Sequence, residues 1–153
     1  MLLATKSTTD PSPSPRLHPQ MRFVSTESIA MHLSKEITEI YRVDCWRYVA
    51  HVVGKGMSTF VSYADLPPIL GVVPPTATDA RLWRRRWRRH HHLAPRFWVD
   101  FYAQKFQSVT DLEELAAWDE LVAYIHFGLT EIDRQFLEAV CSEVTQQLMS
   151  YAA

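Results

Sequence analysis

Apolar residues recur along most of this chain at helical spacing. Ile29, Leu33, Ile37, Ile40 and Tyr41 follow one another at steps of four, four, three and one. That places them on one face of an amphipathic helix over residues 25–41, with Ser25 or Thr26 as its cap. In "PRFWVDFYAQKF", Phe97, Trp98, Phe101, Tyr102 and Phe106 form an aromatic stripe of the kind that fills a core, and Pro95 can open that helix. Thr110 and Glu113 outline a capping box before "TDLEELAAWDELVAYIHF", with Gly128 placed to end the helix. Thr130 caps a final helix in which Ile132, Phe136, Val140, Val144 and Leu148 recur every four residues, beside Leu137 and Cys141.

One stretch fits two patterns. "DCWRYVAHVVGKG" reads as a short helix capped by Asp44 and ended by Gly54, and its lack of clean alternation favours that reading. The alternative is a hairpin near residues 46–63 that pairs "WRYVAHVV" with "STFVSYA" across "GKGM". Pro67, Pro68, Pro74 and Pro75 then mark a proline-rich connector. The fold expected from these segments is all-α, a compact bundle of five to six helices forming a single domain over residues 21–153. Residues 1–20, with four prolines among Ser and Thr, are expected to be a disordered tail.

Composition narrows the function classes. With 153 residues, 47% of them hydrophobic, the chain can close one core. No apolar run approaches the roughly 18 residues of a membrane span, so a soluble, cytoplasmic protein is expected. Cys45 and Cys141 are expected to be buried, reduced thiols on helices.

The net charge of −1 conceals a strong asymmetry. Residues 1–80 carry seven Lys/Arg and seven Asp/Glu, residues 81–109 eight and one, and residues 110–153 one and nine. The basic segment centres on "RLWRRRWRRHHH", residues 81–92, predicted to be helical from a cap at Thr76 or Thr78 as far as Ala94. At 100° per residue, Arg81, Arg84, Arg85, Arg88 and Arg89 share one side together with His91 and His92. Trp83 and Trp87 fall on the opposite, apolar side, where Arg86 is the one arginine among them.

Arginine presents a planar fork of donors that grips phosphate or carboxylate oxygens in pairs, so an arginine face suits a nucleic-acid backbone. The segment "FVSYADLPPILGVVPPTATDARLWRRRWRRHHH" resembles the outline of a helix-turn-helix. A short helix would end near Gly71, and the basic helix would take the recognition position. Pro67 and Pro68 depart from that outline.

A competing account is electrostatic. The acids of the last two helices, among them Glu113, Glu120, Glu138 and Glu143, could face the arginines and form an internal or dimer-forming seam.

Signals for catalysis are sparse. His90, His91 and His92 are consecutive and point about 100° apart on a helix, so they cannot converge on one metal. Ser58 and Ser62 near His51, or either cysteine with a histidine, are loose ingredients without a nucleophile-elbow or phosphate-loop motif.

The sequence therefore predicts a non-enzymatic binding protein without cofactor or metal. It would bind nucleic acid, DNA in the first instance, through Arg81, Arg84, Arg85, Arg88, Arg89, His91 and His92. The alternative is a protein-interaction module of adaptor or immunity type that uses the acidic helices and the arginine face, including as a homodimer.

Overall fold

A computed structural model describes residues 17–152 of the chain. The expected tail lies outside the described residues as far as residue 16. Pro19–Phe23 forms a 3-10 turn that His18 caps and that buries Gln20 and Phe23.

The all-α expectation is overturned by a three-stranded antiparallel sheet in the order β1-β2-β3, formed by β1 (Ile40–Cys45), β2 (Val49–Gly54) and β3 (Met57–Ser62). Hairpin pairing runs from Gly54↔Met57 to Val49↔Ser62. The two-residue turn between β2 and β3 uses Gly56 at φ +67, a left-handed conformation that costs glycine little. Residues 44–54 are thus not a helix. The alternation is present in β2, where Ala50, Val52 and Gly54 are buried and Val49, His51 and Val53 are half-buried, and it recurs in β3, where Met57, Thr59 and Val61 are less exposed than Ser58 and Phe60.

The first helix is also shorter than its apolar spacing suggests. Helix α1 (Thr26–His32) starts at Ser25, whose hydroxyl accepts from the Ser28 N–H. It ends where Ser34 turns left-handed (φ 57) and the Lys35 N–H closes back on Ala30 O at 2.9 Å. Ile37 is then exposed in a 3-10 turn, and Ile40 and Tyr41 enter β1.

Four further helices follow: α2 (Ala77–Trp87), α3 (Phe97–Ser108), α4 (Leu112–Tyr124) and α5 (Glu131–Ala152). The α4 cap is Asp111, one residue beyond Thr110, and it accepts from the Glu114 N–H at 2.8 Å. Thr130 caps α5 through the Asp133 N–H at 3.0 Å. On α5 the buried positions are Leu137, Val140 and Val144, whereas Ile132 and Phe136 are exposed. Steps of four advance 400° on a helix, so such a stripe drifts by about 40° per step and leaves the core face within two or three steps.

Two apolar clusters hold the molecule. Ile29, Val52, Val61 and Leu66 join α1 to the inner face of the sheet. The larger cluster is aromatic, and α2 and α3 interlock there. Trp83 and Trp87 stack with centroids 6.0 Å apart, and both meet Trp98 edge-on, at 5.9 and 5.3 Å. Such pairs add about 0.5–1.5 kcal/mol each beyond area burial. Gly128 lets a 3-10 turn (His126–Gly128) lie against Trp87, since a Cβ there would sit 2.3 Å from the ring. Its role is close approach, and α4 has already ended at Tyr124.

Both cysteines are free thiols. Cys45 is exposed on β1, not buried on a helix, and Cys141 is half-buried on α5.

Candidate functional site

Helix α2 begins with a reciprocal capping box: Thr76 Oγ1 accepts from the Asp79 N–H, and the Asp79 carboxylate accepts from the Thr76 N–H at 2.8 Å. Asp79 is fully buried and also receives the Arg22 guanidinium, which ties the start of α2 to the N-terminal turn. From this anchored start, Trp83 and Trp87 point into the core, and Arg81, Arg84, Arg85 and Arg88 are exposed. The i, i+3, i+4, i+7 spacing puts these four on one stripe about 10 Å long, the rise of about three base steps.

Arg86 differs from them in its surroundings. Its guanidinium turns to Asp65 and forms a bidentate pair, Nε to Oδ1 at 3.0 Å and Nη2 to Oδ2 at 2.8 Å, while nearly half of the side chain stays in water. The carboxylate raises the pKa of this guanidinium further above its ordinary value. Trp98 Nε1 donates to the Asp65 carbonyl at 2.9 Å, so the 3-10 turn Tyr63–Asp65 is held by both α2 and α3.

The helix does not continue to Ala94. After Trp87 it tightens into a 3-10 turn (Arg88–His90), and His91 and His92 then adopt left-handed backbone at φ 56 and 62. Left-handed backbone costs a non-glycine residue roughly 1–2 kcal/mol. Here it is sustained by the His92 N–H to Trp87 O at 2.9 Å, and by the Ala94 N–H to Gly128 O at 2.8 Å. His91 and His92 are exposed, but on this turn and not on a helical arginine face.

The predicted residues therefore divide into groups. Arg84, Arg88 and His92 surround a hollow of about 280 Å3 floored by Trp87 and Phe127, where the Arg84 guanidinium lies 4.3 Å above the Phe127 ring. Arg89 and His91 line a different and larger cleft. Arg81 and Arg85 line neither.

Among the described residues, none of Arg81, Arg84, Arg85, Arg88 and Arg89 forms an ion pair with an acid of the chain. An internal seam with the acidic helices is not formed. Packing explains this: α4 and α5 lie against α3, whereas α2 lies against the Tyr63–Asp65 turn. Glu113, Glu114, Glu120, Glu138 and Glu143 stay exposed.

The larger cleft, about 490 Å3, was not legible from sequence. It opens where the end of α1, the Tyr63–Asp65 turn, the turn after α2 and the starts of α3 and α5 meet. Leu93, Val99 and Leu129 supply apolar wall; Asp65 and Asp133 supply carboxylates; Arg89 and Arg96 supply cations. His32 lines it too, beside the Phe97 ring at 5.1 Å. Burial lowers the His32 pKa, the nearby Asp65 raises it less, and Arg86 lowers it. The imidazole is therefore neutral at pH 7, a donor on one nitrogen and an acceptor on the other.

The outline of a helix-turn-helix is not formed. β3 and the Tyr63–Asp65 turn precede α2, and residues 66–76 contain no helix. The outer face of the sheet does gather His51, Trp46 and Phe60, with ring centroids 5.1–5.3 Å apart, and His51 Nε2 lies 2.9 Å from Ser58 Oγ. A nucleophile–base–acid chain needs a second hydrogen bond, from a third group, to orient the imidazole. Asp44 is 4.0 Å from His51 Nδ1 and is engaged by Arg42 at 2.9 Å, so that link is missing.

Among the described residues, no three His, Cys, Asp or Glu side chains group as metal ligands, and no helix is long and apolar enough to cross a membrane. Comparison of the chain with protein-family models, curated proteins and solved structures finds no match.

Proposed function

We propose that this protein binds nucleic acid through the arginines of α2 and the turn that follows it. The observation that carries this reading is the contrast between Arg86 and its neighbours. Arg86 has a carboxylate from its own chain, whereas Arg81, Arg84, Arg85, Arg88 and Arg89 are exposed with none among the described residues. Like charges three and four apart on a helix oppose its formation by about 0.2–0.5 kcal/mol per pair. A polyanion would reverse the sign of that interaction, and a planar guanidinium matches phosphate oxygens in pairs. The hollow shared by Arg84 and Arg88 adds His92 to the donors on the same surface. The buried tryptophans act as anchors for α2 and take no part in stacking on bases.

The test is salt-dependent binding. If about four to five phosphates are neutralised, the affinity for duplex DNA should fall with a log–log salt slope of about −4. Arg85→Glu combined with Arg88→Glu should abolish binding while the unfolding midpoint is kept. Salt-independent binding, or binding retained by the folded double variant, overturns the proposal.

A second reading is a protein partner, including another copy of this chain. It is favoured by the exposed acids of α4 and α5 on a molecule that also exposes Arg81, Arg84, Arg85, Arg88 and Arg89 without an acidic partner among the described residues, together with exposed Ile132 and Phe136. It predicts self-association or partner capture that salt weakens, and no affinity for DNA at low salt.

A further inference from the structure

We infer that the cleft beside the arginine face receives an unpaired base, one that carries an exocyclic amine, from a strand whose phosphates lie on the arginines. This rests on the nucleic-acid reading and adds to it a strand type and a base preference.

The chemistry of the cleft divides as a nucleotide does. Leu93, Val99 and Leu129 offer apolar contact to the faces of a planar ring. Asp65 and Asp133 offer carboxylate oxygens to its edge, and carboxylates accept from the amine of cytosine. Arg86 occupies one direction at each Asp65 oxygen, and an ionised carboxylate has about four lone-pair sites in all, so acceptor capacity remains. Arg89 and Arg96 supply the charge that a phosphate requires. The volume, about 490 Å3, lies within the usual range of roughly 300–1,000 Å3 for ligand pockets.

Continuity comes from Arg89. It is both the last arginine of the exposed series and a lining residue of the cleft, so a strand tracking the arginines reaches the cleft without a gap in charge. The left-handed turn at His91 makes this possible by turning the chain away from the α2 axis directly after Arg89 and His90. A duplex keeps its bases stacked and can offer only phosphates. Single strands present a base at little cost.

The experiment compares three single strands of equal length on the full chain by fluorescence anisotropy: oligo-deoxycytidine, oligo-thymidine and an abasic deoxyribose-phosphate strand. Deoxycytidine should bind roughly tenfold tighter than the abasic strand, with thymidine between them and a similar salt slope for all three. Val99→Phe, which fills the cleft, should bring all three to the abasic affinity. Asp133→Asn, which turns one of its two carboxylate acceptors into an amide donor and leaves Asp65 in place, should reduce the preference for cytidine over thymidine. Equal affinity of the wild type for cytidine and abasic strands overturns the inference and leaves the arginine reading standing. So does an undiminished difference in folded Val99→Phe, or an unchanged preference in Asp133→Asn. No binding to any strand, or to duplex, overturns both.

Discussion

Removing either member of the Arg86–Asp65 pair should destabilise the fold by unequal amounts, and exposure sets the order. The Asp65 side chain is 13% exposed and that of Arg86 is 46%. Arg86→Ala leaves a largely buried carboxylate, in contact with water only at the cleft wall, and strips away two charge-assisted hydrogen bonds. Breaking a fully buried pair from one side costs about 3–5 kcal/mol, and the residual exposure here reduces that to about 2–3 kcal/mol. Loss of the packed arginine stem is included in this figure. Asp65→Ala frees a guanidinium that is already nearly half in water and can rehydrate, so about 1 kcal/mol is expected. Arg86→Lys keeps the charge but loses the fork, and should fall between the two. The double alanine variant should cost less than the sum of the singles, because the groups are in direct contact. Urea unfolding measures all four, with the midpoint shifting at constant slope. An Asp65→Ala variant as destabilised as Arg86→Ala, or more so, would refute the argument that burial of the stranded partner decides the cost.

Gly128→Ala places a methyl group 2.3 Å from the Trp87 ring and should cost about 1–3 kcal/mol, visible as a lowered melting temperature with loss of near-ultraviolet tryptophan ellipticity; an unchanged melting temperature would contradict the close approach. Stability should also fall with acidification. His18 and His32 both have pKa values lowered chiefly by burial from the ordinary 6.5, so as pH drops below about 6.5 the unfolded chain takes up protons before the folded one. The loss begins there and grows through the folded-state values, with no effect above. Protonation of His18 Nδ1 also removes the acceptor of the Gln20 N–H at 3.1 Å. His18→Asn and His32→Gln should each flatten the pH dependence of the urea midpoint, and an unaltered slope in both would show that these rings are not its source.

What the linear order of residues determined is local and periodic. A rotation of 100° per residue separates Trp83 and Trp87 from Arg81, Arg84, Arg85 and Arg88 whatever α2 packs against, and it leaves Arg86 on the apolar side, in need of a partner. Caps at Ser25, Thr76 and Thr130 and the aromatic filling of α3 are equally local, because the groups that bond or touch lie within a turn of each other. The sheet was less legible. Ile40 and Tyr41 continue the helical spacing of Ile29, Leu33 and Ile37, yet they enter β1, and pairing with β2, which no local spacing reports, decides the outcome.

Tertiary structure alone settled three further matters. The acids of α4 and α5 do not cover the arginines, because α3 stands as their packing partner and α2 packs elsewhere. Asp65 completes Arg86 from 21 residues away, a distance no periodicity spans. The cleft gathers side chains from α1, α3, α5 and two turns, and His32, Asp65, Arg89, Arg96 and Asp133 share no spacing that would announce it. Side chains on one helix meet through a fixed rise and rotation; those on different elements meet only once the burial of Trp83, Trp87 and Trp98 has set how the elements cross.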